Sequence, residues 1–133
     1  LNWINANLSK EDIHLILKEK EHIIAYLNIT KGKFQIDNSL EKDFFGIGNV
    51  CVDKNNLKQE YGFLIMKIAE FYIRKNKGIG LLLCKEENIL FYKKNNWIMF
   101  GGSIKIRDKP FDHYLFYYNT EITANLIILN KTF

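Results

Sequence analysis

The chain has 133 residues, 47% hydrophobic and 26% charged, with 19 lysines and arginines against 15 aspartates and glutamates for a formal net charge of +4. This is the size and make-up of one globular domain, 1–133, with one core. No apolar run approaches the roughly 20 residues of a membrane helix, and the lysines are spread as on solvated faces rather than clustered into the basic stripe that nucleic acid requires, so neither a membrane nor a nucleic-acid partner is expected.

In chain order, Ser9-Lys10-Glu11-Asp12 has the form of a capping box, Ser9 serving the Asp12 amide, and with Ile13, Ile16 and Leu17 on one face it predicts a short helix to about Lys20. Trp3 and Ile4 ahead of it read as core or lid contacts. Residues 23–29 read as a strand, Lys31-Gly32 as a turn, and Lys33 to Asp37 as the strand that pairs back. Phe44 to Val52 is an apolar strand carrying Gly46 and Gly48, and glycine inside a strand marks a bulge or a close backbone approach.

The strongest periodic signal follows. Tyr61, Leu64, Ile65, Ile68, Ala69 and Tyr72 form a single helical stripe, ended at Asn76-Lys77-Gly78 by a left-handed glycine cap. Ile79 to Cys84 is apolar on both faces, as a covered strand is. Strand, helix and strand make a βαβ unit, for which a right-handed crossover is expected. A second helix runs from Lys85 to Lys94, with Ile89 and Tyr92 or Phe91 inward, and Asn95-Asn96 closes it. Trp97 to Phe100 and Ser103 to Arg107 are strands, Lys109-Pro110 a turn, and His113 to Tyr118 and Ile122 to Leu129 the last strands.

No repeat, linker or low-complexity tract interrupts the chain. It begins at Leu1 rather than methionine, which leaves room for an upstream segment, and no signal-peptide pattern opens it. Cys51 and Cys84 lie inside apolar strands and read as buried free thiols of a reducing cytoplasm, and His14, His22 and His113 share no ligand spacing, so no metal is expected.

The polar elbow between strand and helix leaves the first helical amides aimed beyond the strand end, a place that favours phosphate. Gln59-x-x-Gly62-x-Leu64 at this junction resembles the pyrophosphate loop of the GNAT superfamily of acyl-CoA-dependent N-acyltransferases, Arg/Gln-x-x-Gly-x-Gly/Ala, with Leu64 in place of the small residue. Further on, Cys84 to Trp97 resembles the family segment ending in Phe/Leu-Tyr-x-x-x-Gly-Phe/Trp. There Asn96 replaces glycine, and Lys85 stands where many relatives carry asparagine. The two matches span roughly 46–97 in family order.

The resemblance implies an α/β (α+β) fold: a central mixed, mostly antiparallel twisted sheet with helices on both faces and a splayed parallel strand pair. It implies acetyl-CoA as co-substrate, with Val50, Cys51 and Val52 offering backbone groups to pantetheine. Gln59, Glu60, Tyr61, Gly62, Phe63 and Leu64 would then meet the pyrophosphate, with Lys85 beside the cofactor. It implies Tyr92 as the acid that serves the departing sulfur, and a backbone N–H near Val50 to Val52 for the oxyanion. The strand glutamate that many relatives use as a base is absent. Water relayed through Asp53, Tyr26 or a C-terminal group is an open alternative.

Without that resemblance Tyr92 reads as a half-buried core tyrosine, and Gln59 and Gly62 as an ordinary first turn. The expectation is an N-acetyltransferase acting on a primary amine of a small molecule or peptide, as a monomer or homodimer. The alternatives are a degenerate acyl-CoA-binding sensor or interaction module, and a small interaction domain with no coenzyme site.

Overall fold

The computed structural model describes residues 11–55 and 60–133. Among them are nine strands and two α-helices. The described residues open with a hairpin, β1 (Ile13–Glu19) and β2 (His22–Ile36), closed where Lys20 takes a left-handed φ of 57°. A strand thus stands where a helix is expected. Ile13, Leu15 and Leu17 fit a period of two, and these pack on the core while His14, Ile16 and Lys18 are exposed. Pairing along β2 decides between the two periods, because a helix this short is marginal in water. The Ser9-Lys10 part of the expected cap, and Trp3 and Ile4, lie outside the described residues.

No turn forms at Lys31-Gly32. β2 runs through it, with Gly32 opposite Phe44 of β3 (Lys42–Val52), and a Cβ on Gly32 would overlap the Phe44 ring. Glycine is there for the room it leaves. The chain reverses after Ile36 instead, where Asp37 has φ 49°.

β3 leads into α1 (Tyr61–Lys75), and α1 into β4 (Gly80–Cys84), which lies parallel to β3. The left-handed residue that ends α1 is Lys77, φ 52°, not Gly78; the Gly78 amide caps the Ile73 carbonyl at 2.9 Å, and the bare Gly78 backbone makes room for the Phe45 ring. The buried stripe of α1 is Gly62, Ile65, Met66, Ala69, Glu70 and Ile73, so it is rotated from the expected one, and Leu64 and Ile68 are 47% and 38% exposed. A carboxylate inside the buried face is what hid the true register.

A 3₁₀ turn at Glu86–Asn88 precedes α2 (Ile89–Lys94), and Asn96 closes α2 with φ 66°, the left-handed conformation expected of the residue in the glycine position. The remaining strands are β5 (Ile98–Met99), β6 (Ser103–Ile106), β7 (Lys109–Pro110), β8 (Tyr114–Tyr118) and β9 (Leu126–Leu129). Lys109-Pro110 is therefore a short strand paired with β6, and the turn sits at Arg107-Asp108, with Arg107 at φ 58°.

The strands form one mixed sheet in the order β5-β8-β4-β3-β2-β9-β6-β7, with β1 added on β2. Among the described strands, only the pairs β3–β4 and β6–β9 are parallel. β1 and β9 share one edge of β2, β1 along its first half and β9 along Phe34 to Ile36, so the sheet curls. Pleat alternation then builds two cores. Ala25, Leu27, Ile29, Ile47, Leu82 and Phe116 lie under both helices, which contribute Ile65, Met66, Ala69, Ile73 and Tyr92. Phe34, Phe44, Leu81, Leu115 and Tyr117 lie on the opposite face, closed by Ile104, Ile127 and Leu129 from the C-terminal strands and Phe100 from the link between β5 and β6 rather than by a helix.

Candidate active site

Two structural events open a gap between β3 and β4. Their pairing covers only Phe45 to Ile47 beside Gly80 to Leu82. Directly after it, β3 carries an extra residue: Asn28 opposes Gly48 while Tyr26 opposes Cys51, which places a bulge at Asn49-Val50, with Asn49 at φ 55°. A bulge sharpens the twist of its strand, and β3 bends away from β4. The bulge expected from Gly46 and Gly48 falls just beyond them, while the glycines themselves admit Phe133, whose ring would stand 2.6 Å from a Cβ on Gly46.

The gap holds a cavity of about 550 Å³. Asn49 and Val50 wall it on the β3 side, Cys84 and Lys85 at the end of β4, Tyr92 from α2, and Phe111 and His113 from the segment before β8. His113 is a lining residue that sequence reasoning set aside. The Asp53 amide donates to the Ile24 carbonyl at 2.9 Å. The period of two therefore turns the backbone of Cys51 toward β2 as well, and that of Val50 and Val52 toward the gap. Tyr92 is 8% exposed, its ring against Phe91 and Phe116. Burial, with the Cys84 thiol beside it, pushes its hydroxyl well above the ordinary phenol range, so it keeps its proton at neutral pH. Burial pushes both Cys51 and Cys84 up to about 11, which leaves them as neutral thiols.

At the far end of the gap α1 begins. Glu60 precedes it in a left-handed conformation, φ 58°, and the Leu64 amide bonds the Glu60 carbonyl at 3.0 Å. Helix geometry gives the amides of Gly62 and Phe63 no acceptor within the helix. A Cβ on Gly62 would stand 3.2 Å from the Phe91 ring and 3.4 Å from Val52, so the missing side chain is what lets α1 settle against α2 and the end of β3. A second depression of about 420 Å³ opens there, lined by Val52, Glu60, Gly62, Phe63, Phe91 and Lys94. Val50, Lys85 and Tyr92 thus share the cavity, and Val52, Glu60, Gly62 and Phe63 share the depression. Cys51, Tyr61 and Leu64 line neither, and Gln59 lies outside the described residues. Leu64 is 47% exposed.

A polar chain missing from the sequence reading meets the cavity at Asn49. The Asn49 side-chain N–H donates to Asn28 at 2.7 Å, and Asn28, fully buried, donates to the Asp12 carboxylate at 2.9 Å. Its traces in the sequence are Asn28 within the apolar run 23–29 and Asn49 within the apolar run 44–52. Among the described residues no group of three His, Cys, Asp or Glu is placed to hold a metal.

No protein-family model and no curated protein sequence matches the chain. Solved structures do. Escherichia coli ElaA superimposes with a TM-score of 0.60 at 19% identity over 83% of this chain and 69% of that one. The N-acetyltransferase from Staphylococcus aureus Mu50 gives 0.60 at 22% over 81% and 67%. The Bacillus subtilis N-acetyltransferase YlbP, in complex with coenzyme A, gives 0.59 at 9% over 79% and 66%. The chain has the GNAT fold. It spans about two thirds of the length of these structures. The splayed strand pair of the GNAT fold is here β3 and β4, and the helix that joins the pair is α1.

Proposed function

We propose that the chain is an acetyl-CoA-dependent N-acetyltransferase, with acetyl-CoA threaded through the gap between β3 and β4. The observation that carries the reading is the end of β3–β4 pairing at Ile47 and Leu82, with a cavity beyond it that holds Tyr92. Pantetheine would bond the gap-facing backbone of Val50 and Val52, and the diphosphate would rest against the amides of Gly62 and Phe63 at the positive end of α1. Gln59 and Lys85 complete the proposed cofactor set.

The reaction would then run as direct transfer. A neutral primary amine attacks the thioester carbonyl, the C–S bond breaks, and the sulfur receives a proton. Tyr92, held neutral by burial, is in the form able to donate. A phenol pushed up this far is a weaker acid than a free one, so its role is chiefly a hydrogen bond to the developing thiolate. The amine gives its surplus proton to water, and the gap-facing amides of β3 stabilise the oxyanion.

Release of free coenzyme A thiol from acetyl-CoA in the presence of spermidine, kanamycin or a lysine peptide tests the reading, and amine-dependent release is the expected result. The absence of a carboxylate at the bulge, where Asn49 stands, favours a second reading: an acyl-CoA-binding module without turnover. That protein would bind the coenzyme and release no thiol.

A further inference from the structure

The hydrogen bonds of the Asp12–Asn28–Asn49 chain have only one possible direction. A carboxylate accepts and cannot donate, so the group that Asn28 turns to Asp12 is its NH₂, at 2.9 Å. That leaves the Asn28 carbonyl oxygen for Asn49, which must present its own NH₂, at 2.7 Å. The Asn49 oxygen is then the end left over, on a residue that walls the same cavity as Tyr92. Asn28 is fully buried, and neither of its amide groups can turn without facing like against like. Asn49 itself is fixed at the bulge by its left-handed backbone.

Resting on the function proposed above, we infer that Asn49 is the residue that selects and orients the attacking amine, through a side-chain oxygen locked outward by Asn28 and Asp12. The site therefore prefers a nucleophile that has a hydrogen to give, such as a primary amine, over a tertiary analogue that has none. An amine N–H directed at this oxygen keeps the nitrogen lone pair free to face the thioester. Asn49 touches the substrate. Asn28 and Asp12 act through it, as positioning residues.

Asn49→Gly tests this without backbone strain, since glycine is at ease at φ 55°, and a urea titration of the variant reads the cost of leaving the Asn28 oxygen without its donor. Calorimetry should find its coenzyme A affinity within about twofold of the parent protein, because the gap-facing backbone is kept. Its KM for spermidine or kanamycin should rise roughly 10–100-fold, as expected for loss of a hydrogen bond to a charged or strongly polar group, with a smaller change in kcat. Asp12→Lys, at a half-exposed position, puts a donor where the acceptor was. It should invert the chain, turn the Asn49 NH₂ into the cavity and raise the amine KM by a similar factor, while Asp12→Asn, still able to accept, restores most of that loss. If the parent protein binds coenzyme A and acetylates the amine, and Asn49→Gly and Asp12→Lys leave its KM unchanged, the inference is wrong. If the parent protein does not bind coenzyme A, the proposed function itself is wrong and the inference falls with it.

Discussion

The indole N–H of Trp97 donates to the buried carboxylate of Glu70 across 3.1 Å, tying the end of α2 to the middle of α1. Lys67 reaches the other carboxylate oxygen, also at 3.1 Å, from a side chain that is 38% exposed. Glu70 is only 3% exposed, so losing either partner leaves part of a charge unsatisfied in the core. Trp97→Phe keeps an aromatic ring but removes the donor and the rest of the indole from a buried site. It should lower unfolding stability by about 1–3 kcal/mol in urea titration, with coenzyme A affinity unchanged because neither residue lines the cavity.

How much of this was legible beforehand varied with the kind of signal. The βαβ unit was readable because the apolar stripe of α1 and the two-faced apolar run of β4 follow from burial alone, and Asn96 was readable because few side chains tolerate its backbone. The register of α1 was not, since Glu70 takes a core position that only Trp97 and Lys67, one of them distant in sequence, make tolerable. β1 misled because Ile13, Ile16 and Leu17 satisfy a helical period and Ile13, Leu15 and Leu17 a strand, and the β2 edge that decides is non-local. Gly32 and Gly78 resemble turn glycines in sequence, yet each stands where an aromatic ring needs the space. At the candidate site, Val50, Gly62 and Tyr92 were named through the family resemblance and lie at the gap or beside it, while Asp12, Asn28 and Asn49 could not be linked, because nothing local joins residues this far apart.

Gly62→Glu brings bulk against Phe91, 3.2 Å from the Cβ position, and a negative charge to the first turn of α1. Both act against a diphosphate. Coenzyme A affinity measured by calorimetry should fall at least roughly 100-fold, as expected for about 3 kcal/mol, and overpacking should cost about 1–3 kcal/mol of stability. Gly62→Ala, which needs a shift of only a few tenths of an ångström, should lie between.

Tyr92→Phe should leave coenzyme A binding within about twofold and slow acetyl transfer roughly 100-fold, the lower end of what a positioned acid contributes. Full turnover in this variant would remove Tyr92 from the chemistry and return it to the core, among Phe91 and Phe116.

Alkaline pH should unfold the protein through its thiols. Burial raises Cys51 and Cys84 from 9.0 to about 11. Below pH 9 both folded and unfolded chains hold these protons, and the stability is fully present. Between about pH 9 and 11 the unfolded chain loses them first, so stability falls as pH rises. Tyr92, raised above 10.0, adds to the fall at higher pH. The urea midpoint should therefore drop from pH 9 upward, and Cys84→Ala should flatten the first part of that drop.

Chemical unfolding of the parent protein with and without coenzyme A tests the central claim most directly, because it asks only whether the gap between β3 and β4 accepts the cofactor. With coenzyme A at about 100 times its dissociation constant, the unfolding free energy should increase by roughly 2.7 kcal/mol, and Gly62→Glu should abolish the increase. An unchanged unfolding curve at millimolar coenzyme A would contradict the account.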